Sequence, residues 1–211
     1  MRSITLAIAT LALALPATAR QHDQDRHVAG GGQLAPGWMV RTDRGQGHDQ
    51  IKFSAEGNGW DITVGPAVTL YRESDTASGD YTVSLTVEQL SSKGHGHGAG
   101  LIFGGRDLQS PDWQYSYILI RGDGSYIIKT RTGSTTKEIV GWTRSDAIHA
   151  SELAHMKNDI TVQVTDGDII FSVNGTEIRR VPRDQMYTDG IVGFRLNHNL
   201  DMHLDSFTIA K

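Results

Sequence analysis

The chain has 211 residues, of which 38% are hydrophobic and 21% charged, with a formal net charge of −4 and no cysteine. This composition supports a packed core and does not imply long disorder, and the length fits one domain or one large β-sandwich. Because there is no basic surplus and no cysteine, we expect no nucleic-acid partner and a fold that relies on core burial without disulfides.

Residues 1–19, MRSITLAIATLALALPATA, have the pattern of a secretory signal peptide. Arg2 precedes an apolar stretch from Ile4 to Leu15, and an Ala-Thr-Ala end follows. The apolar stretch is too short to span about 30 Å of hydrocarbon comfortably, so we expect cleavage and no integral membrane segment afterwards. The sequence therefore predicts an exported protein, either periplasmic or extracellular.

The rest of the chain divides into residues 20–35, a polar and then glycine-rich stretch that predicts a flexible leader, and residues 36–211, which predict one all-β domain. Short alternating runs recur in the second part, as in YTVSLTVE at 81–88, with turn signals such as Asn174-Gly175 between them. Roughly a dozen strands at this spacing are typical of a sandwich. Only residues 144–158 offer a candidate helical turn.

The segment from 113 to 131 predicts a hairpin with two different faces. Ile118 and Ile120 would face the core, whereas Tyr115 and Tyr117 would point the other way, opposite Lys129 and Arg131 on the second strand. The turn contains Arg121-Gly122-Asp123, a cell-adhesion tripeptide, but turn chemistry accounts for it fully.

The aromatic and basic face of this hairpin suits a carbohydrate, because aromatic rings cover the apolar faces of sugars while Lys, Arg and Asn donate to hydroxyls or carboxylates. Arg195 and Asn197 in GFRLNHNLD would extend the same surface if their strand shares the sheet. The alternatives are a solvated outer face or a face packed beneath a loop. The candidate ligand-binding residues are thus Tyr115, Tyr117, Lys129, Arg131, Arg195 and Asn197, with a polysaccharide or oligosaccharide as partner.

Residues 79–211 resemble the concanavalin A-like, laminin G-like jelly-roll group, and most of all the exported bacterial 3-keto-disaccharide hydrolase domain family. The stretches that carry the resemblance are GDYTVSLTVEQ, AGLIFGGRD, YSYILIRGDGSYIIKTR, NDITVQVTDGDIIFSVNGTEI and DGIVGFRLNHNLDMHLDSFTIA. The resemblance implies two curved antiparallel sheets packed face to face, with carbohydrate on the concave sheet or its rim. Some members of the group are glycosidases or lyases, so it also implies a candidate hydrolase.

Glycoside hydrolysis usually needs two carboxylates about 5–10 Å apart, and no run of the sequence places two acids together on one strand face in that way. The nearest approach is the run DMHLD, in which Asp201 and Asp205 flank His203, with His198 just before it. The candidate catalytic residues are His198, Asp201 and His203 if the chain is an enzyme, which the sequence leaves open. The alternative is an outward polar face with Met202 and Leu204 in the core. Because Phe207 and Ile209 also have the pattern of core residues, keeping them inside together with Leu204 requires an irregularity near Ser206.

Nine histidines are present, but their spacing matches no zinc pattern, and no Asp-x-Asp-x-Asp loop suggests calcium. We therefore expect no metal and no cofactor, with Ca²⁺ kept open because laminin G-like sandwiches often hold it.

Three functions remain from the sequence. The first is an exported lectin-like module that binds carbohydrate, the second is a glycoside-processing enzyme, and the third is a cell-envelope module that recognises protein.

Overall fold

The fold was taken from a computed structural model, which describes residues 24–90, 96–150 and 155–211. The expected signal peptide and the first residues of the expected leader lie outside the described residues. The strands are β1 (Met39–Thr42), β2 (Ile51–Glu56), β3 (Gly59–Val64), β4 (Val68–Ala77), β5 (Tyr81–Gln89), β6 (Gly98–Arg106), β7 (Gln114–Arg121), β8 (Ser125–Thr132), β9 (Thr135–Arg144), β10 (Met156–Val164), β11 (Asp168–Val173), β12 (Thr176–Pro182), β13 (Gly190–Leu196) and β14 (Asp201–Ala210). Two 3₁₀ turns occupy His48–Gln50 and Arg183–Gln185.

The strands form two seven-stranded sheets. The first sheet has the order β1-β4-β13-β6-β7-β8-β9, and the second has the order β12-β11-β10-β5-β14-β3-β2. Neighbours within each sheet pair antiparallel, and strands distant in sequence lie side by side, as β13 does between β4 and β6. This is the predicted jelly-roll sandwich. No helix in the described part of the chain is long and apolar enough to cross a membrane.

The core lies between the sheets and is built from the inward side chains of alternating strands. Ile118 and Phe103 of the first sheet and Val162 and Phe171 of the second sheet are completely buried, and the two phenylalanine rings are 6.0 Å apart. Burying a side chain of this size contributes about 2–3 kcal/mol. The period-two pattern of the sequence therefore fixes which face of each strand meets the other sheet.

Strand β14 contains the irregularity that the sequence requires. Its register against β5 shifts between Asp205 and Thr208, and Ser206 lies in the left-handed region with a φ of 52°. The extra residue lets Leu204 point into the core while Phe207 packs against the same core from the far side of the shift. The predicted β-bulge is confirmed.

Part of the segment expected to be a flexible leader packs against the sandwich. The guanidinium of Arg26 donates to both carboxylate oxygens of Asp201 and to the carbonyls of Val64 and Leu200. Val28 is buried, and Gln33 forms an isolated parallel bridge with Lys52. Contacts with the sandwich therefore begin before residue 36.

Two glycines have similar positive φ angles but different space for a side chain. Their substitution by alanine therefore separates the cost of positive φ from the cost of a clash with neighbouring backbone. Gly104 in β6 has a φ of 62°, and a Cβ there would lie 2.4 Å from the carbonyl of Tyr187, whereas Gly57 has a φ of 59° and open space. We expect Gly57→Ala to cost about 1 kcal/mol of unfolding free energy, and Gly104→Ala to cost about 2 kcal/mol more because the backbone must shift. Urea unfolding measures both losses, and equal losses would contradict the close approach.

Candidate functional site

The two faces of the β7–β8 hairpin are as predicted. Ile118 pairs with Ile128 on the core side, whereas Tyr115 pairs with Arg131 and Tyr117 with Lys129 on the outer side of the first sheet. The turn is closed by a hydrogen bond from the Gly124 amide to the Arg121 carbonyl. In the same turn, Arg121 forms an ion pair of 2.7 Å with Asp123. This contact agrees with the interpretation of Arg121-Gly122-Asp123 as part of a turn.

The tyrosines on the outer face are not open to solvent, which differs from the expected accessible groove. Tyr115 is 0% and Tyr117 is 5% exposed, and both pack in a second apolar cluster with Trp113 and Tyr71. The loop that follows β6 closes over this cluster, where the side-chain amide of Gln109 donates to the Tyr71 hydroxyl at 2.7 Å. The structure thus realises the alternative of a face packed beneath a loop.

Arginines complete the cover of this cluster. The guanidinium carbons of Arg41 and Arg131 lie 4.2 Å and 4.7 Å from the ring centroid of Trp113, and that of Arg195 lies 5.4 Å from the ring centroid of Tyr117. A guanidinium over an aromatic face gains from the ring quadrupole and keeps water off the ring.

One carboxylate, Asp43, links the arginines. It accepts two hydrogen bonds from Arg195, of 2.8 Å and 2.7 Å, and one of 3.0 Å from Arg131. Arg195 also donates to the Tyr115 hydroxyl at 3.0 Å. We call Asp43, Arg41, Arg131 and Arg195 the Asp43 cluster. The sequence analysis missed Asp43, because it lies 152 positions from Arg195 and no local pattern links the two.

Protonation in the Asp43 cluster follows from burial and charge. Burial raises the pKa of the Asp43 carboxyl, but Arg195 and then Arg131 outweigh that effect and hold it below its usual 3.8. Burial opposes the charge on Arg195, yet the Tyr115 oxygen and Asp43 raise the pKa of its guanidinium. Both shifts favour the charged forms of Asp43 and Arg195, so this pair is ionised at neutral pH.

The accessible part of the outer face lies on β9. Trp142 is 38% exposed, and no other large hydrophobic side chain among the described residues is exposed. The guanidinium carbon of Arg121 lies 4.1 Å from its ring centroid. The indole thus contacts a cation and is partly open to solvent.

A bulge turns Trp142 outward. Tyr126 of β8 pairs with Thr143 and Ile128 with Val140, so one residue of β8 faces two residues of β9. Val140 and Trp142 would share a face in a regular strand, but Val140 is buried in the core while Trp142 lies on the other face. The Thr143 hydroxyl donates to the Gly141 carbonyl at 2.9 Å within the bulge. Sequence alternation alone therefore assigns Trp142 to the wrong face.

Charged side chains share the outer face with Trp142. Lys129 forms an ion pair of 3.3 Å with Glu138, which is its partner across β8 and β9. Arg121 and Arg144 both pair with Ser125 from opposite sides, so these three residues form one row of the outer face. We call Trp142, Arg121, Lys129, Glu138 and Arg144 the Trp142 surface.

Asn197, the last predicted ligand-binding residue, follows β13 and is half-buried. Its backbone amide donates to the Gly98 carbonyl at 3.0 Å. Of the six predicted residues, Tyr115, Tyr117, Arg131 and Arg195 thus form a buried network, and Lys129 lies on the accessible Trp142 surface.

The three candidate catalytic residues lie outside the Trp142 surface, and each contacts a different charged side chain. His198 lies in the connection between β13 and β14, and its Nδ1 atom is 3.3 Å from the Asp25 carboxylate. Asp201 is ion-paired with Arg26, and His203 Nδ1 lies 2.7 Å from the Asp61 carboxylate on the outer face of the second sheet.

Two depressions border these candidates. Asp201 and Asp61 line one of about 290 Å³ together with Lys52. His198 lines another, of about 190 Å³, with Asp25 and Asp43. Within residues 24–90, 96–150 and 155–211, no group of three His, Cys, Asp or Glu side chains is placed to hold a metal ion.

Asp43 should be essential for the stability of the outer face. Asp43→Asn leaves the guanidiniums of Arg131 and Arg195 without a buried counter-charge, and we expect it to cost about 3 kcal/mol of unfolding free energy at pH 7. Because the folded pKa of Asp43 is lowered, its stabilisation exists above the unfolded pKa and is lost as the pH falls through the folded one. Wild type should therefore lose more stability than Asp43→Asn between about pH 5 and pH 2.

Urea unfolding at a series of pH values measures this difference, with Asp184→Asn, an exposed carboxylate, as the matched control. Parallel pH profiles for wild type and Asp43→Asn would contradict the ion-pair arrangement.

No protein-family model matches this chain, and no curated protein sequence matches it. Its similarity to the 3-keto-disaccharide hydrolase domain family therefore stays an expectation.

Solved structures are similar in fold. One is a carbohydrate-binding module, CBM66, from Bacillus subtilis, with a TM-score of 0.60, 9% identity, and coverage of 83% of this chain and 96% of that chain. Another is a family 16 glycoside hydrolase from Bacteroides ovatus in complex with a mixed-linkage glucan product, with a TM-score of 0.58, 8% identity, and coverage of 82% and 94%. A third is domain 4 of an extracellular arabinanase from Geobacillus stearothermophilus in complex with arabinotriose, with a TM-score of 0.50, 13% identity, and coverage of 82% of each chain. At these identities the likeness shows a shared fold, the jelly-roll sandwich that the sequence resemblance implies.

Proposed function

We propose that this chain is an exported carbohydrate-binding module that holds a glycan against the Trp142 surface. The observation that carries the proposal is the exposed indole of Trp142 on the outer face of a sheet whose other aromatic rings are buried. Export rests on the signal-peptide pattern of residues 1–19.

An exposed indole suits a sugar ring for a physical reason. The axial hydrogens of a pyranose form an apolar face that stacks on an aromatic ring and releases water from both surfaces. Arg121, 4.1 Å from the ring centroid, restrains the indole, so less side-chain entropy is lost on binding. Lys129 and Glu138 provide a donor and an acceptor for sugar hydroxyls beside it.

The similar structures support this proposal. Two of them contain a bound saccharide or glucan product, and a third is a carbohydrate-binding module. The jelly-roll fold hosts other functions as well, so the proposal depends on the exposed indole and its charged neighbours, and the fold supports it only in general terms.

A glycoside-processing enzyme is the second candidate. The observation that favours it is the contact of 2.7 Å between His203 and Asp61, beside the depression that Asp201 lines. A carboxylate bound to one imidazole nitrogen orients the other nitrogen for proton transfer. Turnover of a 3-keto-glycoside that is lost in His203→Ala, and retained in Trp142→Ala, would establish this second function separately.

Removal of the indole should abolish most glycan binding. We expect Trp142→Ala to weaken retention by a polysaccharide about tenfold, because the stacking surface is lost, whereas Trp142→Phe should keep part of it. Affinity electrophoresis through gels that contain single polysaccharides measures the retention. Lys157→Ala, an exposed substitution on the second sheet, is the matched control.

Full retention of Trp142→Ala would contradict the site, and lack of retention of wild type by every glycan would contradict the function. Capture of a protein partner through Trp142, with indifference to sugars, would instead establish a protein-interaction module.

A further inference from the structure

The charges around Trp142 narrow the chemistry of its ligand. We infer, on the basis of the proposed glycan site, that the ligand is an acidic polysaccharide whose sugar units carry carboxylate groups. Three features of the outer face carry this inference, namely its excess of cations, its unpartnered buried guanidinium nitrogens, and the position of its accessible cations on both sides of the indole.

Cations outnumber carboxylates on this part of the first sheet. The Trp142 surface, the hairpin turn and the Asp43 cluster together contain six basic side chains (Arg41, Arg121, Lys129, Arg131, Arg144, Arg195) and three carboxylates (Asp43, Asp123, Glu138), hence an excess of three positive charges. The whole chain has a formal net charge of −4, so the excess is local. A local excess of this kind attracts anions and accelerates their association.

The buried arginines lack partners for part of their donor set. Among the described residues, the buried Nε–H groups of Arg41, Arg121, Arg131 and Arg195 donate to no hydrogen-bond acceptor, and the one other buried side-chain atom without a partner is the Thr42 hydroxyl oxygen. Arg131 and Arg195 are only 8% and 4% exposed. Positive charge held in a low-dielectric region with too few counter-ions gains strongly from a nearby anion. Arg131 and Arg195 are covered, so these two act on a ligand through their field.

Direct contacts come from the accessible cations. Arg144 is exposed and forms no ion pair with any residue that the structure describes. Arg121 lies in the same row, and Lys129 lies on the other side of Trp142. A sugar ring on the indole would therefore have a cation on either side, and a guanidinium such as that of Arg144 binds a carboxylate through two parallel hydrogen bonds.

The existing ion pairs at this surface do not block such a ligand. Asp123 and Glu138 have side-chain exposures of 45% and 55%, and each is paired with a cation of the Trp142 surface. Exposed ion pairs of this kind contribute about 0–1 kcal/mol, so a ligand carboxylate can replace either acid at little cost.

A matched pair of ligands tests the inference. Polygalacturonate and its fully methyl-esterified form have the same backbone, and only the first carries carboxylates. We expect wild type to bind polygalacturonate about tenfold more tightly at low salt, and this preference should shrink at about 0.3 M NaCl, where the Debye length is only a few ångströms. Isothermal titration calorimetry measures both affinities.

Substitutions on the Trp142 surface test which residues cause the preference for the acidic ligand over its ester. In Lys129→Gln/Arg144→Gln the ratio of the two affinities should fall to about one, because each amide keeps some bulk and loses the charge. In Trp142→Ala the affinity for both ligands should fall. Arg180→Gln, an exposed ion-paired arginine at the edge of the second sheet, is the matched control and should keep the wild-type ratio.

Three outcomes overturn the inference. Equal affinity of wild type for the acid and the ester overturns it and leaves the proposed function intact. Equal binding of polyglutamate, independent of Trp142, overturns it because charge alone would then explain the result. Lack of binding to either pectin, together with Trp142-dependent retention by a neutral glucan, overturns the acidic ligand alone, whereas lack of retention by any glycan removes the proposed function as well.

Discussion

The first sheet has to bury apolar side chains on both of its faces, and the rest of the structure depends on how it does so. The second sheet covers one face, where Ile118 and Phe103 lie in the main core. The other face carries Tyr115, Tyr117 and Trp113, and the loop after β6 and the Asp43 cluster cover it. The cover is cationic because guanidinium groups can lie on aromatic rings and still bind a shared carboxylate.

This solution has a consequence for function. Because the arginines of the Asp43 cluster form the cover, they place positive charge next to the part of the outer face that remains open. The open part is the Trp142 surface, where a bulge in β9 brings one indole to the outside. An apolar platform set in a positive field is suited to a ligand that is both a sugar and an anion. The packing that stabilises the sheet and the chemistry that would select the ligand thus share the same side chains.

Local patterns of the sequence were sufficient for much of the fold. Strand alternation assigned Ile118 and Tyr117 to opposite faces, and the apolar residues of β14 required the bulge that occurs at Ser206. The burial of Tyr115 and Tyr117 was not predictable in this way, since it depends on Asp43, which is distant in sequence. Trp142 was missed because the bulge beside it reverses the face that alternation assigns. Long-range ion pairs and bulges escape a local reading, and the candidate site depends on both.

The most direct measurement of the central claim follows the indole N–H signals of the protein by heteronuclear NMR during titration with an oligogalacturonide. The chain has four tryptophans, and Trp38 and Trp113 are buried while Trp60 packs against the core. The signal of Trp142, assigned by its disappearance in Trp142→Phe, should shift with saturation while the other three remain in place. A titration in which Trp142 stays unchanged, or in which the buried tryptophans shift instead, would contradict the account.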